Sequence, residues 1–498
     1  MILKNNFRGD IMKKTLALIL VIISTLSLGA CKSKTSDTTE KNNSSEPVVV
    51  RMVMKDVSPK DPINQKYVGL IESAMAEEGT KVKIELVEMP SGNYAEKLNL
   101  MLLGKDIPDI IYFQGGDQQI SQQGLLEDLT PYIEKSKYIK ANLEPQNKMR
   151  LANYPYLLWI KPLASKVPVM RSDWFDKLST SKKLMEDPTI DNYYTFLKQL
   201  KASNLGGKGS PAYALTAAGS MQEIDEVFDQ AFGNKTTWIK DETGKYIYNK
   251  VSKNEREKLT FYNKLYKEEI LDQEYLTKKW DTKEKAFYDN GVGVIVGTAG
   301  KVIDIYEGKV KKADGALVGL TVLPPAKGKA QGYLPIDVSK ESRGIAISST
   351  SKVKDVSFKI LDFMASEKGQ RIDRLGFEGE HYVIKDNKIQ LTEKSQEWYA
   401  KFWEPTKVAI GSELEKPLLG KAGTKSLEDV NKLYTEDINF IMPEEFSVKW
   451  DSITNLYKEY SADIITGKRP ISDFDKFVSE WYKSGGEDIT KHANKVLK

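Results

Sequence analysis

Side chains able to do covalent or metal chemistry are scarce in this chain. Its 498 residues include one cysteine, Cys31, and two histidines, His381 and His492. A protein zinc site needs three or four nitrogen or sulfur ligands, and a hydroxyl or thiol nucleophile needs a base held against it. Metal hydrolysis, a histidine-assisted triad and a disulfide framework are therefore poor fits. Two glycine-rich stretches invite a nucleotide reading and fail it. Gly207-Lys208-Gly209-Ser210 lacks the Gly-Lys-Ser/Thr adjacency of a phosphate loop. Gly291-Val292-Gly293, followed by Gly297, falls inside a strand-like run instead of between a strand and a helix. The 70 acidic residues leave paired-carboxylate hydrolysis open by count alone, but no segment singles out such a pair. No catalytic residue, cofactor or metal is expected.

Binding chemistry is better supplied. The chain holds 8 Trp and 24 Tyr, a generous supply of aromatic faces, though most aromatics in any domain are core, and many planar hydrogen-bonding side chains. Nucleic acid is a poor partner. The formal net charge is only +4, and most of it sits in residues 1–30, where Lys4, Arg8, Lys13 and Lys14 face Asp10 alone. The near-neutral remainder lacks the basic excess that phosphate binding requires.

The front of the chain reads as an export address. Met12-Lys13-Lys14 precedes the apolar run Thr15–Leu28, too short to span a bilayer comfortably but suited to a signal-peptide core. Met12 opens a complete signal peptide by itself. The run ends in Leu28-Gly29-Ala30-Cys31, which resembles a bacterial lipobox, so residues 1–30 are expected to be removed and Cys31 lipidated. Residues 31–47 hold that cysteine and a polar stretch without aliphatic or aromatic side chains before Pro47, a flexible tether. The expected location is the extracellular face of the cell membrane, with the lipid as the anchor.

The body opens with alternating strands and helices. Pro47–Lys55 is rich in β-branched residues and predicts a buried strand. Tyr67, Leu70, Ile71, Ala74 and Met75 share a helical face, Val82, Ile84 and Leu86 alternate as a strand, and Tyr94, Leu98, Met101 and Leu102 recur at helical spacing. Asp109–Phe113 predicts a third strand. This β-α-β-α-β order implies a parallel sheet with right-handed crossovers. Ligands of open α/β sheets collect at the carboxyl ends of the strands, which marks Asp56–Lys60 and the loop holding Gln114, Gly115 and Asp117. Further along, Phe287–Thr298 reads as a helix end, a turn and a strand, and 317–323 and 344–348 are strand-like runs, with helical stretches over about 175–285 and after 352. Strand-rich stretches in two separated places predict two lobes.

Five segments carry a resemblance to a known family. They are Gly104–Ile111 (GKDIPDII), Gly124–Tyr132 (GLLEDLTPY), Arg171–Leu178 (RSDWFDKL), Phe363–Gln370 with Gly376–Tyr382 (FMASEKGQ and GFEGEHY), and Asp473–Gly486 (DFDKFVSEWYKSGG). In this order they resemble the extracellular solute-binding proteins, family 1, of ABC importers, most closely the large lipoproteins of Gram-positive bacteria that look like oligosaccharide binders. The resemblance implies an α/β, two-lobed, type II periplasmic-binding-protein-like fold, each lobe a mainly parallel sheet flanked by helices, with a hinge between them. It places residues 48–165 and 311–350 in an N-lobe and 166–310 and 351–498 in a C-lobe. It also implies an ABC permease as partner, a monomeric state, and capture of an oligosaccharide or other small molecule in the cleft without turnover. Some relatives hold calcium in an acidic loop. The corresponding stretch here, 203–211, has no carboxylate, and no calcium is expected there.

Cleft residues expected on position are Trp159 before the first lobe crossing, Thr298 at the end of a strand at the second, Trp238 and Tyr333 in polar loops, and Trp403. The family's loop near the cleft adds Glu380, His381 and Tyr382. Trp174, in Asp-Trp-Phe-Asp-Lys-Leu, reads as helix packing. Fold alone does not choose the ligand. A non-sugar nutrient, a sensing surface lipoprotein and, less readily, a lipid-anchored glycoside hydrolase remain open at this stage.

Overall fold

The computed structural model describes residues 46–54, 56–89, 94–104, 106–163, 165–312, 314–333, 343–403, 414–440 and 442–497. Cys31 and residues 32–45 lie outside these, so the anchor and tether expected there are not part of the structural description. Pro47–Lys498 forms one compact unit.

The strands that position the site are, in chain order, β1 (Val48–Val53), β2 (Val82–Leu86), β3 (Ile110–Gln114), β4 (Lys166–Arg171), β5 (Tyr213–Leu215), β6 (Trp238–Lys240), β7 (Tyr246–Tyr248), β8 (Val292–Thr298), β9 (Leu320–Val322) and β10 (Arg343–Ile347). The helices used below are α1 (Pro62–Glu77), α2 (Tyr94–Leu103), α3 (Gln222–Phe232), α4 (Lys253–Lys267), α5 (Trp280–Tyr288), α6 (Lys354–Met364), α7 (Glu367–Leu375), α8 (Lys421–Leu433) and α9 (Glu444–Thr466).

The first sheet has the order β10-β3-β1-β2. β1 runs parallel to β2 and β3, with Val50 opposite Ile84 and Met52 opposite Ile110, and β10 closes the edge antiparallel to β3. Alternation of side chains splits β1 between two cores. Val50 and Met52 pack with α1 and α6 on one face, while Val53 joins Leu98 and Leu102 of α2 on the other. A sheet covered on both faces explains the near-continuous apolar run of β1. α1 begins at Asp61, whose carboxylate accepts a hydrogen bond from the Ile63 amide at 3.0 Å, with Pro62 at the first helical position. Its buried face is Tyr67, Val68, Ile71, Ala74 and Met75, and Leu70, expected on that face, is 38% exposed.

The second sheet has the order β5-β8-β4-β9. It departs from the expected parallel character: β4 is antiparallel to both β8 and β9, and only β5 and β8 run parallel. The reason is connectivity. β4 enters from the first half and β8 runs back toward the same junction, so Lys166 at the start of one faces Thr298 at the end of the other. Val167, Val169 and Ile295 face one core with Ile303 and Tyr306, and Met170, Val294 and Val296 face another with Leu200 and Phe228. The glycines of β8 are there for close packing: a Cβ on Gly293 would lie 2.5 Å from the Leu200 side chain, and one on Gly297 2.5 Å from the Tyr306 ring.

Two segments sit in the opposite half from the one expected. β9, placed with the N-lobe over 311–350, hydrogen-bonds to β4 in the second sheet. Residues 354–403, placed with the C-lobe, pack on the first: Phe358, Leu361 and Met364 of α6, then Trp398, Phe402 and Trp403, share a core with Val50 and Ile345. The link from β10 to α6 is short, which keeps that helix beside its own sheet. The chain is back in the second half by Gly420, whose amide donates to Asp304 at 2.6 Å, and α8 and α9 pack there.

Candidate ligand-binding site

A cavity of about 720 Å³ opens where the two sheets approach each other. Lys161, ahead of β4, and Arg343, the first residue of β10, wall it on the first side. Ser165, Lys166 and Thr298 line it at the chain crossing, and the second half supplies the rest. Its size is in the range of small-molecule binding sites.

Helical periodicity builds the second wall. Gln222, Asp225, Glu226 and Asp229 of α3 share one face, directed at the cavity, while Ile224, Val227 and Phe228 on the other face enter the core. Leu259 and Tyr262 of α4 lie beside them, and α9 contributes Thr454, Tyr457, Lys458, Ser461, Ala462 and Ile465, a repeat of three and four residues. Four tyrosines line the space: Tyr248, Tyr262, Tyr275 and Tyr457.

Its floor is a closed ionic network. Lys258, fully buried, reaches Asp225 at 2.7 Å and Glu255 at 3.1 Å and also bonds Asp229. Lys250 reaches Asp225 at 3.0 Å and Asp229 at 3.1 Å. Tyr262 donates to Asp225 at 3.0 Å, Tyr457 to Glu255 at 2.6 Å, and Asn234 to Glu255 at 2.8 Å. Burial opposes charge on both lysines, but the surrounding carboxylates outweigh it and raise their pKa values. Burial also works against ionisation of Asp225, yet the two ammonium groups hold it low. Asp229 is raised by burial and by the negative charge of Asp225.

At the crossing, Glu226 accepts hydrogen bonds from the Ser165 hydroxyl at 2.8 Å and from the Lys166 amide. Burial lifts its pKa to about 6 against those donors. Lys166 Nζ extends to Glu223 at 2.8 Å, and Glu223 also holds Lys283 of α5 at 2.7 Å. These contacts tie α3 to the first residues of β4.

Of the ligand contacts expected from sequence, Thr298 lines the cavity. Gln114 is the register partner of Arg343, which lines it. Trp159 is half-buried beneath Lys161, whose Nζ stands 5.3 Å from the ring centroid. Gly115 and Gly116 have φ of 104° and 80° and make the turn into a short helix that begins at buried Asp117, outside the cavity lining. A Cβ on Gly116 would collide with Asn99 of α2.

The remaining expectations are corrected by packing. Trp238 is fully buried and stacked against Phe440 at 5.5 Å and Trp450 at 6.3 Å. Tyr333 is buried, and its carbonyl accepts from the Gln230 side chain at 2.7 Å. Trp403 lies in the first sheet's core, its amide donating to Asp373 at 3.2 Å. His381 is buried between Phe377 and Trp398, and its Nδ1 accepts from the Phe377 amide at 3.0 Å. Burial lowers the histidine's pKa, as suits a structural imidazole. Tyr382 packs with Leu375 and Ile389, and Glu380 pairs at 3.0 Å with Lys66. The residues missed were the acidic face of α3 and the small-and-tyrosine stripe of α9. The stripe's spacing was visible in the sequence; its direction was not.

Known proteins agree with this architecture. The family model for bacterial extracellular solute-binding proteins matches residues 60–371. Lipoprotein LipO of Bacillus subtilis is 22% identical over 97% of this chain and 98% of its own length. Among solved structures, an N-glycan transport solute-binding protein of Streptococcus pneumoniae superposes with a TM-score of 0.66 at 15% identity, over 90% of this chain and 99% of that one. The alginate-binding protein AlgQ2 does so with a TM-score of 0.64 at 18% identity, over 91% and 98%. A substrate-binding protein of a pneumococcal ABC transporter, solved with kestose, gives a TM-score of 0.60 at 16% identity, over 90% and 98%. With a two-lobed α/β fold, a cavity between the halves and a family match over most of its length, this chain belongs to the bacterial extracellular solute-binding proteins.

Proposed function

We propose that this chain is a lipid-anchored extracellular receptor that captures a carbohydrate, an oligosaccharide, between its two lobes and passes it unchanged to the permease of an ABC transporter. The observation that carries the reading is the cavity of about 720 Å³ shared by both halves, lined with tyrosines and hydrogen-bonding side chains. Aromatic faces beside polar groups suit a ligand whose rings are apolar on their faces and hydroxylated at their edges. Three further facts support it: the similar solved structures are those of glycan-, alginate- and kestose-binding proteins, a full-length relative is a lipoprotein, and Cys31 follows an apolar run. Hinge closure around the ligand is the motion such a fold allows. The floor's carboxylates are engaged by Lys250 and Lys258, which suits binding better than acid–base hydrolysis.

Isothermal titration of the full body against a panel of oligosaccharides should give saturable binding with no product. Disruption of the gene should abolish uptake of the sugar that binds. Absence of binding across the panel, or release of hydrolysis products, overturns the proposal.

A further inference from the structure

Three residues lining the cavity carry a buried polar atom without a hydrogen-bond partner among the described residues, two of them being Asn249 with its Oδ1 and Tyr275 with its hydroxyl. Asn249 is 3% exposed and Tyr275 1%. Each is otherwise well fixed. Asn249, just after β7, donates from Nδ2 to the Thr236 carbonyl at 3.0 Å. Tyr275, on the turn before α5, accepts at its carbonyl from the Gly219 amide at 2.7 Å. On α9, Thr454 Oγ1 is a third such atom. A buried donor or acceptor without a partner is destabilising, and native structures keep few of them without a purpose.

The charged groups beside them are in the opposite condition. Asp225, Asp229 and Glu255 are shared by Lys250 and Lys258, with Tyr262, Tyr457 and Asn234 completing the set. The charges of the floor are thus satisfied by one another, and the unmatched capacity is neutral: an amide carbonyl that accepts and hydroxyls that donate or accept. On the reading that this cavity binds a carbohydrate, we propose that Asn249 and Tyr275 are ligand-contacting residues and that the unit seated against them is an uncharged, hydroxyl-bearing sugar and not a uronate. A sugar hydroxyl donates to Asn249 Oδ1, and another completes the Tyr275 hydroxyl. A carboxylate placed there would face Asp225 and Asp229, whose ammonium partners Lys250 and Lys258 are already shared among three carboxylates.

Two effects of Tyr275→Phe separate a ligand contact from a mere packing residue. Removing an unpartnered hydroxyl leaves the ligand-free protein as stable or more so. Removing a hydrogen bond to ligand weakens binding, by about tenfold for one neutral bond. Titration would use two panels, neutral gluco-, xylo-, fructo- and manno-oligosaccharides and acidic oligogalacturonates and oligoalginates, on wild type, Tyr275→Phe and Asn249→Ala, with thermal unfolding of each. The expected result is wild-type binding within the neutral panel, loss of about tenfold in both variants, and an undiminished melting temperature for ligand-free Tyr275→Phe. Neutral-sugar binding left unchanged in Tyr275→Phe overturns the inference while leaving the proposed function standing, as does a preference for the acidic panel. Failure of wild type to bind either panel removes the proposed function and this inference with it.

Discussion

Lys166 and Thr298 stand opposite each other as antiparallel register partners where the chain passes between the two halves, and both line the cavity. The strand that enters the second half and its partner are therefore also part of the cavity wall. On the proposed function, a change of twist in that pair would move the surroundings of a bound ligand and so couple closure to binding.

Glu226 grips the start of this strand, and its titration is the first prediction. Burial raises its pKa to about 6 in the folded chain, above the usual glutamate value of about 4.3. A raised folded value favours the protonated form, so this group's contribution to stability is complete below the usual value and is lost as pH rises through about 6. Glu226→Gln removes the titration. Denaturant unfolding at a series of pH values should show wild type losing stability relative to the variant across that window, and a difference independent of pH would refute the assignment.

Lys258 has a more severe role. It is fully buried against Asp225, Asp229 and Glu255, and Lys258→Met leaves three buried carboxylates with Lys250 alone. Breaking a buried pair on one side costs about 3–5 kcal/mol. Urea unfolding near neutral pH should show a loss of that order, with partial recovery in mild acid as Asp229, already raised, takes up a proton. A variant as stable as wild type at neutral pH would mean the network contributes nothing net.

Glycine substitutions test the packing of β8. Gly293→Ala drives a methyl group into Leu200 and should cost about 1–3 kcal/mol, the usual range for overpacking. Gly308, exposed in the helix Lys301–Lys309, has nothing within 4 Å of a new Cβ, and Gly308→Ala should stabilise by about 0.4–1 kcal/mol. Thermal unfolding should move in opposite directions for the two. Equal shifts would mean that β8 has slack at Gly293.

The anchor is tested by Cys31→Ser. If Cys31 carries lipid, the variant should shift from the membrane fraction to the culture medium while keeping its ligand affinity. Retention at the membrane would point to another tether.

The β1–α1–β2–α2–β3 unit was readable from periodicity because each element is long and its apolar spacing regular. The partners of later elements were not. β9 has three residues, and nothing local says whether it joins β4 or the first sheet; that choice is made by contacts far away in sequence. The same distance hid the core tryptophans. Trp238 looked like a loop residue because Phe440 and Trp450, which bury it, lie some two hundred positions later. Nothing marked Asp225 and Asp229 in advance, for a similar reason: their lysines come from after β7 and from α4. Thr298 lines the cavity for another reason than the one expected: no crossing follows it, since the chain stays in the second half through β9, but β8 ends opposite Lys166 where β4 enters.

The antiparallel edge strand β10 has a further consequence for biogenesis. It completes a sheet begun by β1 to β3, yet almost the whole framework of the other sheet is synthesised before it. Neither half can reach its final form while the chain is still emerging, so such a topology folds late, with many contacts between distant parts. If the chain is exported as proposed, threaded in extended form, the missing strand would delay a collapse that jams its passage.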